Sequence, residues 1–212
     1  MPEPAVEFSS AIIANMSDFG LDISRENLER LADYYTLLLR WNDRLHLVAP
    51  CAPEEFAIRH VLESLLLTKH LPSGTTIADV GSGAGLPIIP TMIVRSDIET
   101  TLIESSQKKT VFLREAMNQL GLKRGRILGK SFEETATPDV GFISCRALDE
   151  FKTKVRTLIA WAPAQGTLLL FGGTGLLDDL PNANVDVDEI LIPQSAKRFL
   201  FVVRKLDNVD KL

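Results

Sequence analysis

Ile77-Ala78-Asp79-Val80-Gly81-Ser82-Gly83-Ala84-Gly85 reads as a strand running into a glycine-rich turn. Glycines at such a turn let the backbone bend tightly and let a ligand approach without interference from Cβ atoms. The spacing is G-x-G-x-G with an aspartate two residues upstream, not the G-x-G-x-x-G of dinucleotide binders, and no Walker lysine follows. NAD and ATP are both disfavoured. Downstream by about 20 residues, Glu104 ends a second apolar run, where a carboxylate can accept hydrogen bonds from both hydroxyls of a ribose. The bland alternatives are a plain strand-to-helix turn for the loop and, for Glu104, an acid that complements a helix dipole.

Outward from this stretch, short apolar runs alternate with helical patterns, which argues for β-α-β units and a mostly parallel sheet. Strands are expected over 76–80, 99–103, 126–128, 140–144 and 167–171, with helices over 87–94, 108–120 and 148–160. Two β-rich runs, 186–192 and 199–204, are separated by too few residues for a helical crossover and predict a C-terminal antiparallel hairpin. Residues 1–74 read as a helical extension. Leu28, Leu31, Ala32, Tyr35, Leu38 and Leu39 follow three-four spacing after Ser24, a candidate N-cap, and a further helix starts at Pro53. Leu71-Pro72-Ser73-Gly74 is a stop signal that sets the extension apart from a domain over 75–212.

The whole chain has 212 residues, 45% apolar and 24% charged, which suits a globular fold and neither a disordered chain nor a disulfide scaffold. Its formal charge of -5 means that the molecule as a whole does not attract polyanions, so any nucleic-acid role rests on a local basic patch. Cys51 and Cys145 lack metal-site spacing and read as reduced packing residues, which suits a cytoplasmic setting. No run of apolar residues reaches membrane-spanning length, and Met1 to Glu7 does not read as a secretory signal.

The glycine loop and Glu104 together describe the cofactor half of a class I, S-adenosylmethionine-dependent methyltransferase with a Rossmann-like α/β sheet. Asp79 suits the cationic methionine end, Glu104 the ribose, and the end of the third strand the adenine, with Phe132 and Glu133 as candidates there, although a phenylalanine just after a short strand is more often a core residue than an adenine platform.

The chain also resembles the bacterial RsmG (GidB) methyltransferases, which methylate N7 of a guanine in small-subunit ribosomal RNA. The resemblance is carried by Arg40-Trp41-Asn42-Asp43-Arg44-Leu45-His46-Leu47, by Arg59-His60-Val61-Leu62-Glu63-Ser64-Leu65, by Asp79 through Pro90, and by Leu102-Ile103-Glu104-Ser105 running through Lys108-Lys109 to Phe112-Leu113-Arg114-Glu115. Ser144-Cys145-Arg146-Ala147 and Lys197-Arg198-Phe199-Leu200 are weaker matches. It implies S-adenosylmethionine held by Asp79, Gly81, Ser82, Gly83, Gly85, Leu86, Glu104, Ser105, Phe132, Glu133 and Arg146. It further implies substrate positioning by Arg146 and an RNA or substrate contact by Arg198. The partner implied is 16S rRNA or the small ribosomal subunit, and the enzyme is a cytoplasmic monomer without metal or membrane. Departures from the family pattern are His46-Leu47-Val48 in place of Asn-Leu-Thr, Cys145 in place of serine, Ile88-Ile89 between the two prolines, and Phe171 where a lysine often precedes the glycine after the fifth strand. A small-molecule or protein substrate, or a non-catalytic cofactor-binding homologue, is the alternative.

Guanine N7 carries a lone pair and no proton, so methyl transfer to it needs alignment and no general base. Arg146 can donate to guanine O6, although a fork that also occupied N7 would block the reacting atom; its bland reading is a surface arginine paired with Asp149 or Glu150. Arg59 and His60 read as structural groups or as ligand contacts. Lys123-Arg124 with Arg126 and Lys130, Lys152-Lys154-Arg156, and Lys197-Arg198 with Arg204-Lys205 are candidate phosphate contacts or solvated faces.

Overall fold

The computed structural model describes residues 3–146, 151–180 and 185–206. Seven strands form one sheet: β1 (Thr76–Val80), β2 (Glu99–Ile103), β3 (Gly125–Leu128), β4 (Phe142–Arg146), β5 (Thr167–Gly173), β6 (Val185–Leu191) and β7 (Arg198–Lys205). Their order is β3-β2-β1-β4-β5-β7-β6, with β1 to β5 parallel and β7 antiparallel to both β5 and β6. The strand order reverses between β1 and β4, and the crevice beyond the carboxyl ends of strands at such a switch point is where open α/β sheets bind ligands. Four of the five residues of β1 are buried, as befits a central strand covered on both faces.

The fourth strand lies two residues later than the sequence pattern suggests. Thr76 Oγ1 accepts from the Gly141 amide at 3.1 Å, and the Gly141 carbonyl accepts from Thr167 N at 3.0 Å. These bonds pair Ile77 with Phe142 and leave Val140 as a buried loop residue, so that Arg146 becomes the last residue of the strand. The expected start of the helix after β4 falls outside the described residues; its described part is α7 (Phe151–Trp161).

Ahead of the sheet come α1 (Glu3–Asn15), α2 (Arg25–Leu45) and a continuous helical run over 53–69 whose pitch varies along its length. That run consists of α3 (Pro53–Phe56), a π-helical stretch Ala57–Leu62, α4 (Glu63–Leu65) and a 3-10 turn Leu66–Lys69. Ser24 caps α2 as expected, accepting from the Asn27 amide at 3.2 Å, and His46 closes the helix in the left-handed region at φ 48°. Leu31, Tyr34, Tyr35 and Leu38 form the buried stripe of α2, at about 1.5–3 kcal/mol for each large side chain removed from water.

Between the strands lie α5 (Ile88–Val94), α6 (Gln107–Gln119) and α8 (Leu176–Asp179). One apolar core runs from Phe8 and Phe56 through Leu62 to Ile89, Phe112, Phe171 and Leu200, so the N-terminal helices pack on one sheet face together with α5 and α6. A second core on the other face gathers Ile143, Leu158, Leu170 and Phe201. Two arginines fasten the helices to the sheet layer. Arg30 donates to the last carbonyls of α5 and α6, Ile93 at 3.2 Å and Leu120 at 2.8 Å, where a cation also meets the negative end of each helix dipole. Arg95 donates to Leu71 and Pro72 carbonyls and to Asp97, whose carboxylate accepts from Gly74 N; the Arg95 guanidinium holds Asp97 well below the usual carboxylate range.

Candidate active site

The glycine loop leaves β1 and is fixed to the neighbouring strand by its own backbone. Gly81 N and Ser82 N both donate to the Ile103 carbonyl, at 2.9 and 3.2 Å, and Gly85 N donates to Ser82 O. Gly83 and Gly85 have φ of 52° and 83°, in the left-handed region where a Cβ is strained. A Cβ on Gly85 would lie 2.5 Å from Ile89 Cδ1, so that glycine lets α5 pack against the loop, whereas a Cβ on Gly83 would meet only the Gly81 carbonyl, at 3.6 Å. The N-terminal helices also reach the loop: Tyr34 Oη donates to Ala84 O at 2.7 Å, and burial holds its phenol well above its usual range.

Glu104, 6% exposed, bridges the loop and the start of α6. Its Oε2 accepts from Gly83 N at 2.8 Å and its Oε1 from Ser106 N at 2.7 Å, and each oxygen keeps a lone pair for a further donor. Asp79 is 1% exposed, with Oδ1 accepting from Ser144 Oγ at 2.7 Å and Oδ2 without a partner. Burial pushes its carboxyl up to about 7, against the pull of the Ser144 and Ser82 hydroxyls and with the Glu104 charge adding to the rise. A buried acceptor oxygen without a donor is costly, and a cationic group from a ligand would relieve it. The residues therefore fit a cofactor with an ammonium group, a sulfonium and a ribose.

Two clefts meet at this loop. The first, of about 130 Å³, is lined by Gly81, Glu104, Ser105, Phe132 and lysines 109, 130 and 154. The second, of about 230 Å³, is lined by Ser82, Gly83, Leu86, His60, Arg146 and residues 47–49. Gly81 and Lys109 belong to both. Phe132 is wall and core at once, since its ring meets Trp161 edge-on at 5.5 Å. Glu133 is exposed on the 3-10 turn Phe132–Glu134 and lines neither cleft; its carboxylate accepts from Ser131 Oγ at 3.3 Å. Asp79 lies buried beneath the loop, and Gly85 faces Ile89 rather than the cleft.

The structure ties Arg146 and Arg198 to one carboxylate that the sequence reading passed over. Glu63, 1% exposed, accepts from Arg146 Nη2 through Oε2 at 3.1 Å and from Arg198 through Oε1, at 2.9 Å from Nε and 2.7 Å from Nη2. Arg146 Nη2 also donates to the Arg59 carbonyl, and its guanidinium sits 5.4 Å over the Phe171 ring, leaving Nη1 buried without a partner. Asp149 and Glu150, its expected surface partners, lie outside the described residues. The π-helical stretch places this grip, because its wider turn bonds Glu63 N to Ile58 O five residues back. His60, in the same stretch, faces the second cleft, and burial with the Arg146 and Arg59 charges brings its imidazole down to about 4. A glutamate within Val61-Leu62-Glu63-Ser64-Leu65-Leu66-Leu67 was a usable signal, since a carboxylate amid leucines needs cations.

A second missed residue is Asn42. Its amide donates to Val48 O at 3.0 Å and accepts from Val48 N at 2.9 Å, holding the loop that walls the second cleft. Among the described residues there is no group of three or more His, Cys, Asp or Glu able to hold a metal ion, and no helix long and apolar enough to cross a membrane.

The family model described as rRNA small subunit methyltransferase G matches residues 27–200. A protein of Neisseria meningitidis serogroup C, strain 053442, named ribosomal RNA small subunit methyltransferase G, is 31% identical across 94% of this chain and 100% of its own length. A protein of the same name from Xylella fastidiosa is 35% identical across 89% of this chain and 93% of its own. Among solved structures, a SAM dependent methyltransferase from Aquifex aeolicus superposes with a TM-score of 0.55 at 20% identity, covering 72% of this chain and 93% of that one. A mutant of MtNAS gives a TM-score of 0.58 at 16% identity, covering 82% of this chain and 72% of that one. These two likenesses establish the class I methyltransferase fold.

Proposed function

The chain belongs to the GidB family, the rRNA small subunit methyltransferases G, and on that footing we propose that it methylates N7 of a guanine in 16S rRNA within the small ribosomal subunit, as a cytoplasmic monomer. The observation that carries this reading is the junction of the two clefts at Gly81. A nucleoside seated on the Glu104 side has its far end at the mouth that Arg146 lines.

S-adenosylmethionine, when bound, supplies an electrophilic methyl group on a positively charged sulfur. The chain's own residues then have three tasks. Glu104 holds the ribose through its remaining lone pairs, with Ser105 and Phe132 walling the adenine. Asp79, beneath Gly81, Ser82, Gly83, Gly85 and Leu86, gives its free oxygen to the ammonium group. Arg146, with Arg198 beside it, positions the base. Its Nη2 is already committed to Glu63 and to the Arg59 carbonyl, so it does not present the open fork that would cover both O6 and N7.

No proton leaves N7, and the site matches that economy: His60, held to about 4, is a feeble base. Alignment of the lone pair with the methyl group is then the main source of rate, with about 7–11 kcal/mol as the ceiling for ideal orientation. The test is transfer of labelled methyl to small subunits that lack the modification. Transfer that is abolished by ribonuclease and falls steeply with salt supports the reading. Phe171, under Arg146 where the family often has a lysine, favours one rival, a class I enzyme for a small molecule or protein. Labelling that survives ribonuclease would select it.

A further inference from the structure

His60 stands in the π-helical stretch Ala57–Leu62 and lines the second cleft together with Arg146. Behind it lies Phe56, with ring centroids 5.0 Å apart, and Phe56 packs in turn on Tyr35 at 4.8 Å, so an aromatic stack sets where the imidazole sits. The His60 carbonyl accepts from Ser64 Oγ, but among the described residues neither ring nitrogen has a hydrogen-bond partner. Burial and the charges of Arg146, Arg59 and Arg198, opposed by Glu55, bring the imidazole down to about 4. At ordinary pH it is therefore neutral, with one nitrogen that donates and one that accepts. The other polar side chains of the cleft lack that freedom. Arg146 and Lys109 only donate, and Ser82 is 1% exposed with its hydroxyl donating to the Asp79 carbonyl at 3.1 Å.

We propose that His60 selects the target base, its free ring nitrogen accepting a hydrogen bond from guanine N1–H while Arg146 donates to O6. The inference rests on the guanine-N7 reading and adds to it the residue that tells guanine from adenine. Along its Watson–Crick edge guanine offers an acceptor, O6, beside a donor, N1–H, whereas adenine offers an amino donor beside an acceptor at N1. A donor from Arg146 next to an acceptor from His60 matches the first pattern. Against adenine it sets guanidinium N–H on amino N–H, and Arg146 has no acceptor with which to invert the mismatch. Both contacts also lie on the side of O6 away from N7, so the reacting lone pair stays open to the methyl group. No proton changes hands, since His60 accepts a hydrogen bond and abstracts nothing.

The experiment uses the full chain with His60→Phe, His60→Asn and His60→Gln, each checked by circular dichroism and thermal melting. His60→Phe keeps an aromatic ring against Phe56 and loses the acceptor, whereas Asn and Gln give up the ring and keep an acceptor. The quantities read are kcat and KM for methyl transfer to small subunits that lack the modification, and affinity for S-adenosylhomocysteine by calorimetry. In His60→Phe kcat should fall about 5- to 150-fold, the effect of leaving a donor unpaired in a closed cleft. KM for the subunit should hold, because phosphate contacts elsewhere carry most of that affinity. His60→Asn or His60→Gln should recover much of the lost kcat, and S-adenosylhomocysteine affinity should match wild type in all three. A packing role reverses the order, with Phe tolerated and the two amides impaired, and that result overturns the proposal. So do amide variants as slow as His60→Phe, or a parallel loss of S-adenosylhomocysteine affinity, which would move His60 to the cofactor side. If His60→Phe melts too low to assay, His60→Leu takes its place in the comparison. A wild-type protein that methylates no small-subunit RNA sinks the functional reading itself, whereas wild-type methylation with an unaltered His60→Phe variant sinks only the base contact.

Discussion

Glu63→Gln is the perturbation that reads the site most deeply, because one buried carboxylate serves two guanidinium groups. The substitution preserves shape and one acceptor oxygen but removes the negative charge between Arg146 and Arg198. Breaking a buried pair by neutralising one partner costs about 3–5 kcal/mol. Arg198 is 34% exposed at its side chain, so water screens part of its share and the lower end of that range applies, about 3 kcal/mol. For a chain of this size that is a fall in Tm of about 6–12 °C, at about 2–4 °C per kcal/mol. The assay is thermal unfolding alongside chemical denaturation, with labelled methyl transfer measured at a temperature where the variant is folded. Transfer should drop while calorimetric affinity for S-adenosylhomocysteine holds, since Glu63 touches neither Asp79 nor Glu104. Adding Arg198→Met should restore part of the lost stability by removing one of two repelling cations. A Tm within about 2 °C of wild type, or double-variant losses that simply add, would show that Glu63 does not bind the two guanidinium groups together.

Asp79→Asn should stabilise the cofactor-free protein at alkaline pH while weakening cofactor binding. The folded carboxyl, raised to about 7, keeps a proton that the unfolded chain sheds near its ordinary pKa, so its stability contribution is present at low pH and lost as pH rises towards 7. Unfolding curves between about pH 4 and 8 should therefore converge for variant and wild type at the acidic end, and curves that stay parallel would contradict the assignment. Glu104→Ala leaves the Gly83 and Ser106 amides without their acceptor and should weaken cofactor binding by about 1–3 kcal/mol, and unchanged calorimetric affinity would count against it. Asn42→Ala removes both bonds to Val48, about 0.5–1.5 kcal/mol each, and should raise KM for RNA with the Val48 amide losing hydrogen-exchange protection; an amide that stays protected would show that the loop is held by other means.

Features readable in the sequence were those with a short-range cause. The strand-glycine-helix turn, the Ser24 cap and the closing hairpin depend on neighbouring residues, and the structure reproduces each within a residue or two. Glu104 could be singled out because a strand end and a spacing define its place. The fourth strand slipped by two residues because apolar Val140 is buried by a loop rather than by a ladder, and the pattern alone does not distinguish the two. Glu63, Arg146 and Arg198 meet only through the tertiary fold, 83 and 135 positions apart in the chain. The meeting of His60 and Arg146 at one cleft has the same cause. The π-helical pitch that aims the Arg59 carbonyl and Glu63 at Arg146 has no recognised sequence signature, and Asn42 reads as an ordinary last-turn residue until its bonds to Val48 are seen.

Guanine-N7 methylation is read directly by incubating the protein with S-adenosylmethionine and small subunits that lack the modification, then treating the extracted 16S rRNA with borohydride and aniline, which cleave the strand at N7-methylated guanine. One new scission site at a guanine is expected, absent when S-adenosylhomocysteine replaces the methyl donor and strongly reduced with the Arg146→Ala variant. An intact strand alongside labelled methyl incorporated elsewhere, or no incorporation at all, would contradict guanine-N7 methylation.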